Sequence, residues 1–454
     1  MLTHLHMKHF KSWRDSGPIR LAPLTGFFGA NSSGKTAILQ LLLMLKQTVE
    51  SADRARVLHT GDERTYVDLG TFVDIVFGHT VPGNLQFELK WRLPTPLTIP
   101  DPETGEDLFT ITALEFESSN GGDAKKIAVE RFSYSFNIGE KRYRFGMERK
   151  GGRYSLIAEG HELKRTRGRP RRVLHPVKCY GFPDEVNAQF VNAGFLSDLV
   201  LAFEHLFQNI YYLGPLREYP HRSYVWAGER PQDVGIRGEL AVPALLAARA
   251  RGQQVSRGKG RKKQHVDERV AEWLHQLGLI ESFELKPVAA DRRDYEVRVK
   301  QSPGATEVLI TDVGFGVSQI LPVLTLCYYA PVGSTLILEQ PEIHLHPAVQ
   351  AGLADVFIDA IRHRKIQIIL ESHSEYLLRR LQRRIAEERL SEKDVSLYFV
   401  ANPDGTSRLQ QLEIDLLGNI RNWPEDFFGD EMGELIAMTE AAMRRSDDGE
   451  KARV

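Results

Sequence analysis

The spacing of hydrophobic and polar residues changes several times along this chain. The first stretch, "LTHLHMKHF", alternates apolar and polar residues with a period of two, which predicts an edge or half-buried strand. The stretch "LAPLTGFFGANSSGKTAILQLLLMLKQTV" then indicates an apolar strand, a glycine loop and a helix. Between about residues 81 and 160 the period of two returns, broken by "SSNGGDAK" and "NIGEK". We therefore expect an antiparallel meander there.

Helical spacing returns near residues 190–210, and strands and helices alternate from residue 295 onward. This last region contains the runs "YEVRVK", "VLITDVGFGVSQILPVLTLCYY", "TLILEQ", "AVQAGLADVFIDAIRHR" and "IQIILESH". Such alternation is typical of a parallel, doubly wound sheet, so the predicted fold class is α/β. After it we expect two strands, in "VSLYFVA" and "TSRLQQLEID", and a short helical end, without a further parallel sheet.

The composition excludes some classes of protein and leaves the choice among others to local motifs. The 454 residues are 42% hydrophobic and 26% charged, with a net charge of −1, so overall basicity does not argue for nucleic acid. The two cysteines, Cys179 and Cys327, cannot form a disulfide framework. Because no signal peptide and no membrane-length apolar run are visible, we expect a cytoplasmic protein without a membrane partner.

Residues 29–36, "GANSSGKT", match the phosphate-binding pattern G-x-x-x-x-G-K-[ST], between the strand and the helix that this pattern requires. Gly29 and Gly34 allow the backbone to point successive N–H groups at phosphates. Lys35 can reach the terminal phosphates and Thr36 can ligate Mg²⁺. We therefore predict that ATP and Mg²⁺ bind here. The predicted nucleotide contacts of the loop are Gly29, Asn31, Ser32, Ser33, Gly34, Lys35 and Thr36.

Three later motifs place further polar groups at predicted strand or helix ends. "STLILEQPE" ends a buried strand at Glu339, which can support Mg²⁺ directly or through water. "IILESHSEYLL" ends another strand near His373, either a sensor of the γ-phosphate or a structural residue. "DVGFGVSQILPVL" is a glycine-flanked turn that leads into a helix. His344 and His346 lack a third ligand at metal-binding spacing, so we expect no transition-metal site.

Taken in order, these motifs resemble the ABC-class ATPase heads of the SMC, RecF and overcoming-lysogeny-defect (OLD) superfamily, over residues 1–80 and about 205–400. "HFKSW" and the phosphate loop, with Asn31 inside it, are similar to the start of that family. "VGFGVSQ" takes the place of the signature motif, "LILEQPE" of Walker B, "HLHP" of the D-loop and "ESHSEYLL" of the switch histidine. "YVDLGTFVDIVFGHT", "YYLGPLREYP" and "WPEDFFGDE" resemble a bacterial AAA-family ATPase subgroup with a short C-terminal domain of unknown function and no nuclease domain.

The resemblance implies a homodimer in which two ATP molecules lie between two P-loop heads. Each phosphate loop would face the signature of the partner, and we expect Ser318 to touch the γ-phosphate there. The signature residues expected at this interface are Gly314, Gly316, Ser318 and Gln319. Because this signature departs from the usual Leu-Ser-Gly-Gly-Gln type, the sequence alone leaves the contact residue open.

The resemblance also implies a glutamate that activates water, at a position where this chain has Gln340. A glutamine can orient water but cannot accept its proton, and losing a general base costs about 10²–10⁴-fold in rate. We therefore expect a slow ATPase and a long-lived ATP-bound dimer. Glu342 and Glu371 are candidate replacement bases, and Glu342 could equally be a helix-start carboxylate. The candidate catalytic residues are Glu339, Gln340, Glu342 and His373.

We predict an ABC-ATPase-like head with two insertions. The expected segments are 1–80 (N-terminal half of the head), 81–160 (antiparallel β subdomain), 161–300 (basic, partly helical insertion with a head strand near 210–216), 301–400 (C-terminal half of the head) and 401–454 (C-terminal extension). No Q-loop glutamine is evident. Phe10 and Trp13 could either contact adenine or lie in the core.

Two basic, glycine-containing segments, expected to be loops, point to DNA. "LKRTRGRPRRVLHPVK" contains Arg-Gly-Arg-Pro, the core of the AT-hook, whose arginines enter the minor groove. "RARGQQVSRGKGRKK" is the second segment, and a solvated basic loop is the alternative for both. The candidate DNA contacts are Arg165, Arg167, Arg169, Arg171, Arg172, Arg261, Lys262 and Lys263.

Two functions from different classes remain open. The first is a DNA-repair or anti-phage ATPase, in which ATP-driven head dimerisation controls DNA association or a partner effector. Because no acidic metal cluster follows "ESHSEY", any nuclease would be a separate partner. The second is a nucleotide-sensing regulatory or scaffold protein that holds an effector silent while ATP is bound. The basic segments favour the first function, and Gln340 favours the second.

Overall fold

The structure, a computed structural model, describes residues 1–101, 104–166, 174–424, 427–429 and 431–451. Its first strand alternates as the sequence predicts, with Leu2, Leu5, Met7 and Phe10 buried. The elements up to residue 160 are β1 (Leu2–Phe10), β2 (Trp13–Asp15), β3 (Ile19–Arg20), β4 (Leu24–Phe28), α1 (Lys35–Glu50), α2 (Phe72–Ile75), β5 (Gly83–Pro100), β6 (Asp107–Gly122), β7 (Ile127–Ile138), β8 (Lys141–Lys150) and β9 (Arg153–Glu159).

The middle of the chain mixes helices with short strands. Part of the second basic segment, expected as a loop, forms the end of a helix and the first strand of a two-stranded hairpin. The elements here are α3 (Asp184–Gln189), α4 (Phe195–Gln208), β10 (Ile210–Leu213), β11 (Tyr224–Val225), α5 (Ala241–Ala250), β12 (Gln254–Val255), β13 (Gln264–His265), α6 (Val266–Gln276), β14 (Ser282–Pro287), β15 (Asp294–Lys300) and β16 (Val308–Leu309).

The last part alternates strands and helices as its apolar runs predict. Its elements are α7 (Phe315–Tyr329), β17 (Thr335–Glu339), α8 (Pro347–Arg364), β18 (Gln367–Glu371), α9 (Glu375–Ala386), β19 (Val395–Ala401), β20 (Arg408–Gln411) and α10 (Glu431–Lys451). Short 3₁₀ turns cover Phe77–His79, Ile310–Asp312 and Glu392–Asp394. The C-terminal helix is therefore longer than the short helical end that the sequence predicts.

Six strands of the described chain form the central sheet, in the order β10-β17-β18-β4-β19-β20. The strands from β10 to β19 are parallel, and β20 is antiparallel to β19. Every residue of β4, β17 and β18 is buried, as expected for parallel strands covered on both faces. The predicted α/β class is confirmed. Because Glu339 is in register with Glu371, both carboxylates lie at the same edge of the sheet.

A second sheet contains eight of the described strands, in the order β2-β1-β5-β6-β7-β8-β9 with β3 beside β1. Strands β5–β9 form an antiparallel meander whose buried residues include many aromatic rings. Phe116 packs at 4.9 Å from Tyr134 and at 4.6 Å from Phe203 of α4, between ring centroids. The meander therefore extends a sheet that the first strand of the chain begins, and α4 covers one face of it.

The end of the chain is joined to the central sheet. Strand β19 pairs in parallel with β4, and Ala401 pairs with Arg408 across the β19–β20 hairpin. The strand predicted from "VSLYFVA" is therefore β19, and it belongs to the central parallel sheet. No helix in the described part of the chain is both long enough and apolar enough to span a membrane.

Candidate nucleotide site

The phosphate loop joins β4 to α1, and the two glycines of its motif pack against the C-terminal hairpin. Gly29 has φ +139° and Gly34 has φ +104°, both outside the range that other residues readily adopt. A Cβ on Gly29 would lie 2.2 Å from the carbonyl oxygen of Val400, and one on Gly34 would lie 2.2 Å from Ser407 Oγ. Glycine is therefore required at both positions by backbone angle and by close packing.

Hydrogen bonds hold the rear of the loop. Ser407 Oγ lies 2.6 Å from the carbonyl oxygen of Ser33 and 2.6 Å from Ser12 Oγ. The indole Nε1 of Trp13 donates to the carbonyl oxygen of Gly34 at 3.0 Å. Phe10 and Trp13 are both fully buried, so neither ring offers a free face to adenine. Trp13 instead fixes the backbone of the loop.

Lys35 lies inside the loop, with its side chain only 2% exposed. Its Nζ donates to the carbonyl oxygens of Gly29 at 3.0 Å and Ala30 at 2.7 Å, and lies 3.9 Å from Glu371 Oε1. Burial lowers the pKa of Lys35, and Glu371 and Glu342 partly offset that effect. The ammonium group is thus held at the loop with backbone bonds that phosphate oxygens can replace.

Other predicted loop contacts differ in exposure. Asn31 and Ser32 are exposed, Thr36 is half-buried and Ser33 is buried. Ser32 has φ +59°, an uncommon backbone angle for a serine. The outer side of the loop is therefore polar and exposed, and the hydroxyl of Ser33 lies buried beneath it.

Three carboxylates gather at the edge of the sheet in front of the loop: those of Glu339, Glu342 and Glu371. Each residue is no more than 6% exposed. Burial and the nearby Glu371 raise the pKa of Glu339 to about 7, although Tyr212 donates to Glu339 Oε1 at 3.0 Å. Burial also raises the pKa of Glu342 and of Glu371. Such a cluster favours a cation or protons over ionised carboxylates alone.

Glu342 is held by the end of the neighbouring strand. Its Oε1 accepts hydrogen bonds of 2.7 Å from Ser372 Oγ and from the backbone N–H of His373, while Oε2 has no partner among the described residues. The ring of His373 is hydrogen-bonded to the backbone of Gly29, and burial and Lys35 lower the pKa of this histidine. His373 is therefore neutral at pH 7 and joins the strand end to the phosphate loop.

Gln340 occupies a strained backbone position. Its φ is +43°, its backbone N–H donates to the carbonyl oxygen of Glu371 at 2.9 Å, and its side chain is half-buried. His344 nearby has φ +61°. Non-glycine residues held at positive φ cost about 1–3 kcal/mol each and concentrate at functional sites. This strained backbone is found at the position where the resemblance implies a glutamate and this chain has Gln340.

The histidines of "HLHP" have structural roles or aromatic contacts. His346 caps α8, because its Nδ1 accepts from the backbone N–H of Ala348 at 3.3 Å, and Pro347 is the first residue of that helix. The His344 ring lies 5.4 Å from that of Phe315. Within the described residues, no group of three or more His, Cys, Asp or Glu is arranged to hold a metal ion by itself.

The signature segment lies at the start of α7. Gly314 and Phe315 are exposed, and a Cβ on Gly314 would meet no atom within 4 Å. Ser318 is buried, with Oγ donating to the carbonyl oxygen of Phe315 at 2.8 Å, and Gln319 is buried beside it. Gly316 is half-buried. In this arrangement Gly314 and Phe315 are accessible to a partner, whereas the Ser318 hydroxyl is bonded within its own helix.

The structure adds site residues that the motifs did not reveal. Arg217 follows β10 and donates through Nη2 to the carbonyl oxygen of Glu339 at 3.3 Å. Tyr212 and Ser407 contact Glu339 and the loop, respectively. For Arg217 and Tyr212 the sequence offered a weak signal in "YYLGPLREYP", where polar groups follow an apolar strand. It offered none for Ser407, which lies 374 residues from its bonding partner Ser33.

Several buried polar atoms of this site have no hydrogen-bond partner among the described residues. They are Ser33 Oγ, Arg217 Nε and Nη1, Glu342 Oε2 and Glu371 Oε2, and Gln319 Nε2 in the signature segment is a further one. Unpartnered buried groups of this kind are costly and rare in folded proteins. Donors suited to phosphate lie here beside carboxylates suited to Mg²⁺ or water, so the residues fit ATP and Mg²⁺.

The candidate DNA contacts are only partly described. Arg167, Arg169, Arg171 and Arg172 lie outside the described residues, so the structure gives no account of the AT-hook core. Arg165 is exposed and forms a β-bridge with Phe190. Arg261, Lys262 and Lys263 are exposed in the loop between β12 and β13.

Two family models match the sequence. Residues 24–379 match the family described as "AAA domain, putative AbiEii toxin, Type IV TA system". Residues 390–437 match "Protein of unknown function (DUF3696)". No curated protein matches the chain significantly. The first match covers more than half of the chain, and the second covers the hairpin behind the phosphate loop.

Solved structures with remote similarity include head domains of SMC proteins. One is an SMC head bound to the C-winged helix domain of ScpA, with 14% identity, a TM-score of 0.46 and coverage of 91% of this chain and 98% of that chain. Another is the SMC head domain from Thermotoga maritima, with 13% identity, a TM-score of 0.41 and coverage of 91% and 99%.

The family follows from the sequence match and from the site that it contains. The matched residues include the phosphate loop, the signature segment, the acidic strand end and the switch histidine. The motifs stand in the order that the SMC, RecF and OLD resemblance implies. The chain therefore belongs to the AAA family described as "AAA domain, putative AbiEii toxin, Type IV TA system", as a P-loop ATPase whose C-terminal segment matches a family of unknown function.

Proposed function

We propose that this protein hydrolyses ATP slowly with Mg²⁺ and pairs with a second copy of itself around two ATP molecules. The pairing would control DNA association or a partner effector, in DNA repair or anti-phage defence. The observation that carries the proposal is the group of unpartnered, buried polar atoms in front of a complete phosphate loop. These atoms have the chemistry that ATP and Mg²⁺ require.

Each part of the site has a role in this reaction. The backbone N–H groups of the loop and Lys35 bind the phosphates. Thr36 and Glu339 would hold Mg²⁺, which would neutralise charge on the phosphate groups. Gln340 orients the attacking water, and Glu342 accepts its proton through the free Oε2. Neutral His373 has a single ring N–H, which would donate to the terminal phosphate in place of its bond to the Gly29 backbone.

Slow turnover follows from how these roles are divided. Gln340 is placed to position water but cannot accept a proton. The replacement base, Glu342, is 6% exposed, and one of its oxygens already accepts two hydrogen bonds. Hydrolysis then depends on a base held by the end of another strand. ATP would remain bound for longer than in a head whose water-positioning residue is also its base.

The surface around the signature supports pairing of two copies. Tyr219 is 69% exposed and Leu216 is 73% exposed, and the Tyr219 ring lies 5.5 Å from that of Phe315. Exposed apolar side chains grouped at one place are typical of an interaction surface. Gly314, beside them, leaves room for close approach. The expected partner here is the nucleotide face of a second copy.

A basic surface on α8 and the β12–β13 loop supports DNA association. Gly258 packs against the His363 ring, so this loop lies at the end of α8. The exposed cations of the surface are Lys259, Arg261, Lys262, Lys263, Arg362 and Lys365. Such a group makes salt-sensitive contacts to phosphates without reading the base sequence.

The second candidate function is nucleotide sensing by a regulatory or scaffold protein. The strained backbone of Gln340, at a position where it cannot act as a base, favours this candidate. In that case ATP would be held, not consumed, and the paired state would keep an effector silent. DNA would then affect the protein only indirectly.

Steady-state ATP hydrolysis with and without duplex DNA separates the two candidates. Lys35→Ala serves as the blank, because it removes the ammonium group that reaches the phosphates, and Gln340→Glu is assayed alongside. Turnover of the wild type above the blank, increased by DNA, would support the DNA-linked ATPase. If the wild type binds ATP but stays at blank level while Gln340→Glu hydrolyses it, the protein is a sensor. If the wild type binds no ATP, both candidates fail.

A further inference from the structure

Arg217 is the most deeply buried cation in front of the phosphate loop that the sequence motifs leave without a role. It follows β10, which pairs in parallel with β17, the strand that ends at Glu339. The residue is only 5% exposed. Its Nη2 donates to the carbonyl oxygen of Glu339, whereas Nε and Nη1 have no partner among the described residues.

The surroundings of Arg217 do not account for these two free nitrogens. An arginine that served only to neutralise a carboxylate would bond to it, commonly through two parallel hydrogen bonds. Here Nη2 bonds to a main-chain oxygen, and no nitrogen of Arg217 bonds to a carboxylate of the described residues. Leaving a buried guanidinium so incompletely paired is costly, which indicates that another anion completes the site.

The charges nearby indicate where that anion lies. Burial lowers the pKa of Arg217 to about 10, and Tyr212, Glu339 and Glu342 partly offset the effect, so the guanidinium stays charged at neutral pH. Glu342 also acts on the pKa of Lys35. This carboxylate therefore lies within electrostatic reach of both cations. Lys35 approaches from the phosphate loop, and Arg217 approaches from the strand on the far side of Glu339.

We propose that the two free nitrogens of Arg217 bind the terminal phosphate group of ATP. The inference rests on the proposed ATPase function and adds a phosphate contact to it. A planar guanidinium suits two oxygens of one phosphate group, and its fixed charge stabilises the charge that spreads over those oxygens during transfer. ADP lacks that phosphate group, so Arg217 distinguishes ATP from ADP.

In hydrolysis, the water oxygen bonds to the γ-phosphorus, and the bond from that phosphorus to the β–γ bridging oxygen breaks. The electron pair of the broken bond stays on ADP. One proton of the water passes to Glu342 Oε2 and then to solvent, leaving inorganic phosphate. Arg217 takes no proton in this step. It holds the γ-phosphate oxygens while the two bonds exchange.

The test compares Arg217→Gln and Arg217→Lys with Arg364→Gln in the full chain. Arg364 is a matched control: it is 7% exposed, it is bonded through Nη2 to the carbonyl oxygen of Ala330, and its Nε is also unpartnered. Binding of ATP and of ADP is measured separately for each protein, with Mg²⁺, by calorimetry. The turnover number is measured in parallel with saturating ATP.

We expect Arg217→Gln to weaken ATP binding about tenfold or more and to leave ADP binding within about twofold of the wild type. The turnover number should fall about 10²–10³-fold, as when one positioned charge-stabilising donor is removed. Arg217→Lys should recover part of both losses, because it restores the positive charge but not the planar set of donors of the guanidinium. Arg364→Gln should keep the ratio of ATP to ADP affinity even if it lowers stability.

The inference would be overturned if Arg217→Gln left the ratio of ATP to ADP affinity unchanged, including the case in which it weakens the binding of both nucleotides equally. The ratio is measured without turnover, so it decides the role of Arg217 even if the wild type only holds ATP. A wild type that binds no ATP at all would instead overturn the proposed function, and the role of Arg217 with it. The two failures are thus distinguishable.

Discussion

Behind the phosphate loop, the polar groups of Ser12, Trp13 and Ser407 lie 2.6–3.0 Å from hydrogen-bond partners. In front of the loop, Ser33 Oγ and Glu371 Oε2 are buried without a partner. Both sides are formed by the phosphate loop, residues 29–36, and the elements around it. The rear side is complete within the folded chain, whereas the front side is completed only by a ligand.

The two sides of the loop therefore contribute to the stability of the protein with opposite signs. An unpartnered buried polar group typically costs about 1–3 kcal/mol, so the front of the loop destabilises the ligand-free protein. The rear bonds stabilise the fold and hold the backbone that binds phosphates. Substitutions at the rear should therefore lower stability first, and substitutions at the front should lower function first.

The largest expected effect is on turnover, from Glu342→Gln at the front. The amide oxygen can still accept from Ser372 and from the backbone N–H of His373, so the fold should be kept. Without a proton acceptor, the turnover number should fall about 10²–10⁴-fold while ATP binding is retained. Single-turnover hydrolysis and calorimetric binding measure the two quantities.

Glu371→Gln is the control for that assignment, because Glu371 is the other candidate base. If Glu342→Gln turns over at the wild-type rate and Glu371→Gln does not, the base is Glu371 and the role given to Glu342 is wrong. Loss of ATP binding in Glu342→Gln would show that this side chain supports the loop, not the chemistry.

The second-largest expected effect is a change in the pH dependence of the free energy of unfolding, caused by Glu339→Gln. The folded-state pKa of Glu339 is raised from 4.5 to about 7, so ionising it above that pH disfavours the folded, ligand-free protein. The favourable contribution of the protonated form is present below about pH 4.5 and is lost as the pH rises through about 7. Over that window the shift corresponds to about 3 kcal/mol, at 1.36 kcal/mol for each pH unit.

Denaturant unfolding of the wild type and Glu339→Gln at pH 5 and pH 8, without nucleotide or Mg²⁺, checks this. The variant should gain relative to the wild type by about 2.5 kcal/mol between the two pH values, because it has no carboxylate to ionise and most of the window lies between them. Mg²⁺-dependent ATP hydrolysis should be lost in the same variant. A stability difference that does not change with pH would show that Glu339 is ionised in the folded protein throughout.

The smallest effect comes from a matched pair of serine substitutions on the two sides. Ser407→Ala removes a hydroxyl bonded to the loop and should lower the free energy of unfolding by about 1 kcal/mol. Ser33→Ala removes a buried, unpartnered hydroxyl and should leave stability equal or slightly higher. ATP affinity should fall more for Ser33→Ala if its hydroxyl faces the phosphates.

Unfolding by denaturant and ATP binding by calorimetry, on both single variants, give the comparison. Ser12→Ala, alone and combined with Ser407→Ala, tests whether the rear hydroxyls act as one unit, since coupled residues show non-additive effects. Equal stability losses in Ser33→Ala and Ser407→Ala would remove the distinction between the two sides of the loop.

Much of this site could be predicted because its motifs are local and their positions in a parallel sheet are restricted. Apolar strands followed by polar residues gave Glu339, Glu371 and His373, and parallel strands bring their carboxyl ends to one edge. The glycine pattern likewise predicted a loop between β4 and α1. The α/β class followed from the alternation of the same elements.

Less could be predicted where a side chain depends on a distant contact. Trp13 was as plausible for adenine as for the core, and packing places it behind the loop. A motif specifies which residue types follow one another. It does not specify which side chains the surrounding elements cover.

The α/β class, the phosphate loop and the acidic strand ends could be predicted because they depend on residues near one another in the chain. The hairpin that closes the rear of the loop and the position of Arg217 beside Glu339 could not, because both depend on contacts between distant segments. Their partners are 374 and 122 residues away, respectively. Local spacing carries no record of such contacts, which exist only after the parallel sheet has brought its strands together.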